Sequence, residues 1–384
     1  MTQGGTEPHL KLWPLAGVSF VAALLAFAHW FLFHSWTSFW PGLAPGVAQL
    51  LRLALSLLAF SFVAATMLSF RFHNVLVRTF YAVAAVWLGF LNFFFWAALL
   101  GWLAGYALRL AQAPAALRGQ IAAALTLLAV LVSLWGFINA RILHLRRHTV
   151  RLRNLPHSWQ GRTALLLSDV HLGHINGRRF LARVARLANR LQPDVILLPG
   201  DLFDGGAADA DHLLAPLSAL TPPHGIYFAS GNHDEFGNMS QFTRAMQQAG
   251  IQVLQNEAVD VDGLRILGVP FHDATSPLHL RAALERLLPG QEQRPPSILL
   301  SHVPSRLPIV EQAGVDLVVC GHTHSGQIFP FTWLTRRVFG VFTDGLHSFG
   351  NLQVCTSSGV GVWGPPMRVG SSSEVMLLRL EKAL

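Results

Sequence analysis

The chain has 384 residues, of which 52% are hydrophobic and 12% are charged, and its formal net charge is +8. This length favours two or three domains. Its two cysteines, Cys320 and Cys355, are too few for a disulfide framework and are interpreted as buried free thiols. Five arginines cluster within 141–153, directly after an apolar segment, which favours anionic lipid headgroups over nucleic acid. We therefore expect no nucleic-acid partner, and the sequence identifies no protein partner.

Composition divides the chain near residue 140. Before that point there is a single acidic residue, Glu7, and nearly all of the charge follows it. Four apolar runs are each long enough to cross a hydrocarbon core, which takes about twenty helical residues. The first is too long for a cleavable signal peptide, and other spans follow it. The predicted spans are 12–34, 47–70, 79–108 and 120–140.

The distribution of arginine predicts how these spans are oriented. The connection at 35–47 has no Lys or Arg, whereas the second and third connections carry arginine and the fourth span is followed by five arginines. Because positive loops stay in the cytoplasm, both termini are predicted to be cytoplasmic. We expect a transmembrane domain at 1–145, a basic juxtamembrane linker at 146–160 and a second domain at 161–384.

Beyond residue 160, short apolar strands alternate with polar turns and helices. This alternation predicts an α/β fold whose sheets are covered on both faces. Metal-type side chains come at, or just after, the ends of five predicted strands. Ligands of open α/β sheets bind at the carboxyl ends of the strands, so we expect these side chains to converge. They are Asp169, Asp201, Asn232, His302 and His322.

Five short motifs contain these residues. Residues two apart in an extended backbone point the same way, so each Asp-x-His or His-x-His pair can approach a common centre. One such pair alone is weak evidence, but five motifs in this order are specific. They are Asp-x-His (169–171), Gly-Asp-x-x-Asp (200–204), Gly-Asn-His-Asp (231–234), Ser-His (301–302) and Gly-His-x-His (321–324).

This set of motifs resembles the calcineurin-like metallophosphoesterase superfamily. The membrane segment, the sequence at 321–327 and the Gly-Val-Gly-Val-Trp-Gly-Pro-Pro-Met-Arg motif at 359–368 further resemble the bacterial YkuE/YaeI-like subfamily. Lipid pyrophosphatases that process UDP-diacylglucosamine are found among those relatives. The resemblance implies a β-sandwich flanked by helices, in four α/β/β/α layers, that follows the four transmembrane helices.

The resemblance also implies a site for two divalent metal ions. Mixed imidazole and carboxylate ligation favours Mn, Fe or Zn. Two such ions can generate a hydroxide nucleophile and stabilise both the attacking and the leaving oxygen of an in-line displacement. The ligands implied are Asp169, His171 and His324 for the first metal and Asn232, His302 and His322 for the second, with Asp201 bridging them.

Two residues of the Gly-Asn-His-Asp motif are predicted to act in catalysis. His233 would be the general acid that protonates the leaving oxygen or steadies the phosphoryl charge, because a histidine side chain ordinarily has a pKa near working pH. Asp234 would orient the imidazole of His233. Asp204 is expected either to support the loop of Asp201 or to cap the following helix.

Aromatic and aliphatic residues alternate with arginine at 328–342, directly after the last predicted ligands. Two interpretations stay open for this segment. It forms a core strand with a loop, or it forms an interfacial loop that inserts aromatic side chains while arginines meet phosphates. The second interpretation gives a substrate or membrane contact to Trp333, Arg336, Arg337, Phe339 and Phe342.

Three functions are consistent with these features. The first is a phosphodiesterase or pyrophosphatase of the bacterial inner membrane, with a cytoplasmic catalytic domain that acts on a lipid-linked substrate. The second is the same hydrolase acting on soluble nucleotides or phosphoproteins, with the spans as a tether. The third is a non-catalytic membrane scaffold, against which the complete motifs and His233 argue.

Overall fold

The structure is a computed structural model that describes residues 12–114, 116–205, 209–288 and 294–383. The remaining residues of the predicted domains, including 1–11 and Leu384, lie outside this description. The chain forms two compact units. One contains the described residues up to Leu68 together with Thr79–Ser133, and the other contains Ser69–Arg78 together with Leu134 onward.

Four long helices confirm the prediction of an α-helical N-terminal region. Each is long and apolar enough to cross a membrane. Polar side chains within them bond to their own helix, as when the Ser35 hydroxyl donates to the Phe31 carbonyl oxygen at 2.7 Å. Large apolar side chains such as Leu57 lie on the surface, as expected of helices that face lipid. The helices are α1 (Leu12–Phe39), α2 (Pro45–Ser69), α3 (Val75–Leu110) and α4 (Ala116–Asn139).

The second unit contains two six-stranded sheets. Among the residues that the structure describes, twelve strands build them, and eight α-helices connect or cover the strands. The strands are β1 (Leu143–Leu152), β2 (Thr163–Leu166), β3 (Val195–Leu198), β4 (Ile226–Phe228), β5 (Ile251–Val253), β6 (Glu257–Val261), β7 (Leu264–Val269), β8 (Ser297–Ser301), β9 (Leu317–Cys320), β10 (Gly345–Phe349), β11 (Leu352–Thr356) and β12 (Ser373–Lys382). The helices are α5 (Arg178–Leu191), α6 (Ala210–Leu214), α7 (Asn232–Phe236), α8 (Met239–Gln248), α9 (Phe271–Thr275), α10 (Pro277–Leu287), α11 (Leu307–Gln312) and α12 (Phe331–Phe339).

The strand order of the first sheet is β1-β12-β2-β3-β4-β5, and that of the second is β10-β11-β9-β8-β7-β6. In the first sheet, β2, β3, β4 and β5 are parallel neighbours. In the second sheet, β7, β8, β9 and β11 are parallel neighbours. Each sheet therefore presents the carboxyl ends of several strands at one edge.

Apolar side chains fill three layers of core, which confirms the four-layer α/β/β/α sandwich. Along β2, Leu165 packs beneath α5, α6 and α8, whereas its neighbours Ala164 and Leu166 pack between the two sheets. This alternation follows from the period of two in a strand. On the outer face of the second sheet, Leu284 of α10 and Val310 of α11 pack against strand residues such as Leu299.

The interpretation of 146–160 as a linker is wrong for its first part. Residues 143–152 form β1, which pairs in parallel along its whole length with β12. Val150 and Leu152 are buried in the core between the sheets, while the arginines between and before them face outward. Because this segment contains several arginines, its alternation of buried and exposed residues is hard to recognise in the sequence, and the segment resembles a basic linker.

The second unit also includes short segments from the helical region. The side-chain amide of Asn139, the last residue of α4, donates to the carbonyl oxygens of Arg368 at 3.0 Å and Ser371 at 2.9 Å. The Arg78 guanidinium, in the connection between α2 and α3, donates through Nε to the His174 carbonyl oxygen at 3.2 Å. These segments therefore belong structurally to the α/β unit.

Candidate metal centre

The seven predicted ligands come from one edge of each sheet. The first sheet supplies Asp169 and His171 after β2, Asp201 after β3 and Asn232 at the end of the loop from β4. The second sheet supplies His302 after β8, and His322 and His324 after β9. The structure brings all seven together.

Asp169, His171 and His324 form one group. The two imidazole Nε2 atoms of His171 and His324 are 3.0 Å apart, and His324 Nε2 is 3.4 Å from Asp169 Oδ1. The backbone N–H of His322 donates to Asp169 Oδ1 at 3.0 Å, which ties the end of β9 to the end of β2. The group therefore joins the two sheets.

Asn232, His302 and His322 form the second group. Asn232 Oδ1 lies 3.0 Å from His322 Nδ1, and the ring centroids of His302 and His322 are 5.1 Å apart. Asp201 lies between the groups, because its Oδ2 is 3.1 Å from His302 Nε2 and 3.7 Å from His171 Nε2. This is the position that a bridging carboxylate requires.

The imidazole orientations fit divalent metal ions. His302 Nδ1 donates to the Pro199 carbonyl oxygen at 2.8 Å, and His171 Nδ1 lies 3.2 Å from Asp204 Oδ1. Each partner fixes the tautomer that leaves Nε2 with a free lone pair. The His302 Nε2 atom is buried and makes no hydrogen bond to any described residue. Two Nε2 atoms facing each other at 3.0 Å, in His171 and His324, likewise suit a cation between donors.

The backbone at the site takes unusual conformations. Five of the seven predicted ligands have left-handed φ angles, between 48° and 68°, which non-glycine residues rarely adopt. Glycine is required next to them, since a Cβ on Gly321 would collide with Ser168 Oγ and Asp169 Oδ2, and one on Gly231 with Asp201 Oδ1. The five left-handed residues are Asp169, His171, Asp201, His322 and His324.

The charges at the site shift the pKa values of its ionisable groups. Burial lowers the pKa of His302, but Asp201 and Asp169 outweigh it and raise that pKa to about 10. Burial and the neighbouring His302 lower the pKa of His322 to about 4. Burial would raise the pKa of Asp201, but His302 and His171 hold it well below its usual range. Asp201 is therefore an anion, available to cations on both sides.

His233 lies beside this centre. Its ring centroid is 4.8 Å from that of His171, and the rings are nearly perpendicular. Its backbone N–H donates to Asp201 Oδ1 at 2.9 Å. Burial and the neighbouring His171 lower the pKa of His233, while Asp201 and Asp204 act in the opposite direction. The geometry is consistent with the predicted role of His233 in proton transfer, which stays a prediction.

The predicted role of Asp234 is wrong. Its carboxylate accepts hydrogen bonds from the backbone N–H groups of Asp201 at 2.7 Å, Phe203 at 2.9 Å and Gly231 at 2.9 Å. These bonds hold the two loops that carry Asp201 and Asn232, and they occupy both oxygens. The carboxylate beside the His233 ring is Asp204, whose Oδ1 is 3.6 Å from His233 Nδ1. Asp204 thus faces both His171 and His233.

Sequence reasoning missed a buried arginine behind the site. Arg368 is completely buried, and its guanidinium donates to the carbonyl oxygens of Ser358 at 2.6 Å, Gly361 at 2.7 Å and His324 at 3.1 Å. These contacts hold the loop after β11 against the last predicted ligand. An arginine that ends the Trp-Gly-Pro-Pro motif was the available signal, but a sequence does not show which carbonyl groups an arginine will meet.

The segment after the last predicted ligand is neither a core strand nor a loop. Phe331–Phe339 form α12, and every residue of this helix is at least partly exposed. Trp333 is 63% exposed, and Arg336 and Arg337 also face solvent. Phe339 turns toward the site, with its ring centroid 6.3 Å from that of His322. Over so short a segment the sequence does not separate a helical period from an extended one.

Residues 163–326 match the calcineurin-like phosphoesterase family. A metallophosphoesterase of Aquifex aeolicus is 30% identical over 258 residues, which cover 66% of this chain and 98% of that protein. The chain belongs to the calcineurin-like phosphoesterase family. Membership of this family implies divalent metal ions as cofactors, and the side chains described above could hold them.

Two further relatives contain the same domain. A transmembrane protein with metallophosphoesterase domain of Danio rerio is 31% identical over 281 residues, covering 69% of this chain and 63% of that protein. The metallophosphoesterase YkuE of Bacillus subtilis is 27% identical over 264 residues, covering 64% of this chain and 88% of that protein. The chain spans only 59% to 63% of the length of several curated relatives.

Proposed function

We propose that this protein is a membrane-anchored phosphoesterase that uses two divalent metal ions to hydrolyse a phosphodiester or pyrophosphate bond in a lipid-linked substrate. The convergence of seven metal-type side chains at one edge of the sandwich, with His233 beside them, carries the proposal. One ion would be held by Asp169, His171 and His324 and the other by Asn232, His302 and His322, with Asp201 between them. Imidazole and carboxylate donors favour Mn, Fe or Zn.

When bound, the metal ions stabilise charge on phosphoryl oxygens and lower the pKa of a water molecule. The residues of the chain then supply orientation and a proton. The carboxylate of Asp204 faces Nδ1 of both His171 and His233 and orients both rings. His233 donates a proton to the leaving oxygen. An anionic phosphoryl group beside the ring raises the pKa of His233 and so favours its protonated form.

The lipid part of the proposal is supported by the helices. Four helices have the length and apolar composition of membrane spans. Helix α12 exposes Trp333, Leu334 and Val338 close behind the last predicted ligand, and Arg336 and Arg337 lie on the same short helix. Apolar side chains combined with arginine are typical of helices that lie at a membrane surface. This helix is suited to contact the bilayer from which a lipid-linked substrate comes.

The arginines at 141–153 support a cytoplasmic catalytic domain in a bacterial inner membrane. A reporter fused after Leu384, which lies outside the described residues, should be active only in the cytoplasm. Reporter activity on the outer face would contradict this orientation.

The substrate class is tested with the full-length protein in liposomes and in detergent, supplied with Mn²⁺. Lipid pyrophosphates are compared with cyclic nucleotides and phosphopeptides, and the Asp201→Ala variant controls for contaminating activity. We expect the highest kcat/KM on a lipid pyrophosphate or lipid phosphodiester. Preference for a cyclic nucleotide or phosphopeptide would contradict the lipid assignment. A complete lack of turnover with Mn²⁺, Fe²⁺ and Zn²⁺ would contradict hydrolysis itself.

A further inference from the structure

We propose that Trp363 and Phe236 form an aromatic subsite that binds an apolar leaving group of the substrate. The inference rests on the proposed role of His233 as the acid that protonates the leaving oxygen. It assigns a substrate-binding role to two residues that lie outside the set of metal-type side chains.

Both aromatic rings contact His233. The ring centroid of Trp363 is 5.6 Å from that of His233, with the two planes at 65°, and the centroid of Phe236 is 5.8 Å away at 68°. A leaving oxygen that takes a proton from His233 lies next to this imidazole. The substituent on that oxygen must therefore enter the space beside the two aromatic rings.

Trp363 is exposed but firmly held. Its backbone N–H donates to Gln327 Oε1 at 3.0 Å, and Gln327 Nε2 donates to the carbonyl oxygens of Trp363 at 2.9 Å and Pro365 at 3.0 Å. The backbone N–H of Gly361 donates to the Asp169 carbonyl oxygen at 2.8 Å. Hydrogen bonds therefore connect the loop that carries Trp363 to Gln327, which follows β9, and to Asp169, which follows β2. A loop whose backbone is fixed in this way loses little conformational entropy when its aromatic side chain binds a ligand.

Phe236 is held by a different element. It ends α7, the helix that begins with Asn232 and His233. A Cβ on Gly205 would meet the Phe236 Cβ at 3.2 Å, so the loop after β3 packs closely against it. The position of Phe236 is therefore fixed relative to His233 by the same short helix.

The exposure of these rings indicates a ligand rather than core packing. Trp363 is 49% exposed and Phe236 is 66% exposed, although both adjoin a buried polar centre. Exposed aromatic side chains beside convergent polar groups are typical of ligand-binding sites. The chemistry that fits two aromatic rings is an apolar substituent, either a planar ring or a hydrocarbon chain.

The test uses two diesters with the same methyl group and with leaving alcohols of similar acidity. In methyl phenyl phosphate the leaving group carries an aromatic ring, and in methyl hexafluoroisopropyl phosphate it is small. We expect the Trp363→Ala variant to lose about tenfold in kcat/KM on the phenyl ester. The loss on the hexafluoroisopropyl ester should be less than about twofold. Phe236→Ala should act in the same direction, and Trp363→Phe should retain most of the preference for the phenyl ester.

Leu278→Ala, which removes an exposed apolar side chain on α10, is the control and should leave the ratio of the two rates unchanged. Equal losses on both esters in Trp363→Ala and Phe236→Ala, with unchanged thermal stability, would overturn the subsite. In that outcome the wild type still hydrolyses both esters, so the proposed function stands. Failure of the wild type on both esters and on the lipid panel would instead contradict the proposed function.

A third ester, methyl 4-octylphenyl phosphate, distinguishes a ring from a chain. A higher kcat/KM than for the phenyl ester, lost in Trp363→Ala or Phe236→Ala, identifies a hydrocarbon chain as the group that is bound. Equal rates for the two aryl esters, with the preference for the phenyl ester still dependent on Trp363, identify the ring.

Discussion

The two sheets contribute different chemistry to the same centre. The first sheet supplies mostly oxygen donors, from Asp169, Asp201 and Asn232, whereas the second supplies only imidazoles, from His302, His322 and His324. Among the seven predicted ligands, His171 is the one imidazole that follows a strand of the first sheet. Asp201 is the residue that joins the two sets, because its Oδ2 faces both His171 and His302.

This division explains why the site needs a sandwich rather than a single sheet. Carboxylates that meet without cations repel one another, and burial together with neighbouring imidazoles favours the neutral form of a histidine, as the lowered pKa of His322 shows. Because the two sets lie on facing edges, the negative charge of the carboxylates and the positive charge of protonated imidazoles stabilise each other. The comparison predicts that the two sides will respond differently to substitution, metal removal and pH.

The largest effect on catalysis should come from Asp201, whose carboxylate lies between the two groups of predicted ligands. Asp201→Ala removes the carboxylate between the two groups and should lower kcat by more than about a thousandfold, since metal ions supply several kcal/mol of charge stabilisation. Activity on a small chromogenic diester and the metal content of the purified protein measure this effect. Asp260→Ala, which removes an exposed carboxylate from β6, is the matched control and should retain activity. Comparable activity in the two variants would refute a bridging role.

A second prediction separates two carboxylates of the first sheet. Asp234→Asn should destabilise the protein by about 1–3 kcal/mol, because one buried backbone N–H loses its acceptor. Asp204→Asn should leave the melting temperature almost unchanged but lower kcat by about 10–100-fold, because His171 and His233 lose their orienting partner. Thermal denaturation and kinetics of both variants check the contrast. The reverse pattern would restore Asp234 as the partner of His233.

A third prediction concerns the imidazole side in protein treated with a chelator. The folded-state pKa of His302 is raised to about 10, from about 6.5 when unfolded. Protonated His302 therefore contributes stability that is fully present below about pH 6.5 and is lost as the pH rises to about 10. The melting temperature of the metal-free protein should fall across this range, and His302→Gln should flatten the fall. An unchanged pH profile in that variant would show that His302 is not the group responsible.

The smallest effect should come from α12, which follows the imidazole side. Trp333→Ser should lower turnover of a lipid substrate in liposomes several-fold, because an exposed indole no longer enters the interface. Turnover of a small soluble diester should stay within about twofold of the wild type. A similar loss on both substrates would argue for a structural role of α12 instead.

The convergence of the seven side chains could be predicted from the sequence because they follow strands that are recognisable one at a time. Asp169 and His302 each come just after an apolar run, and parallel strands carry their ends to one edge. The partners of Asp234 could not be predicted in this way. They are backbone N–H groups from two loops, and no residue type identifies a backbone donor.

The differences between prediction and structure at β1, α12 and Trp363 have similar causes. β1 contains several arginines, so the alternation of the buried residues Val150 and Leu152 with exposed residues is hard to recognise in the sequence. α12 mixes aromatic and basic residues over nine positions, a length at which helical and extended periods are hard to separate. Trp363 was visible in its motif, but its contact with His233 depends on how the loop after β11 folds back.

The left-handed backbone of the metal centre has a consequence for local order. Each such non-glycine residue costs about 1–3 kcal/mol, and five of the seven predicted ligands are of this kind. A whole domain is stable by only about 5–15 kcal/mol, so this strain should make the edge locally less stable than the strands beside it. Without metal, the loops after β2, β3 and β9 should exchange their amide hydrogens sooner than the strands that carry them. Metal binding should then be coupled to the ordering of the loops after β2, β3 and β9.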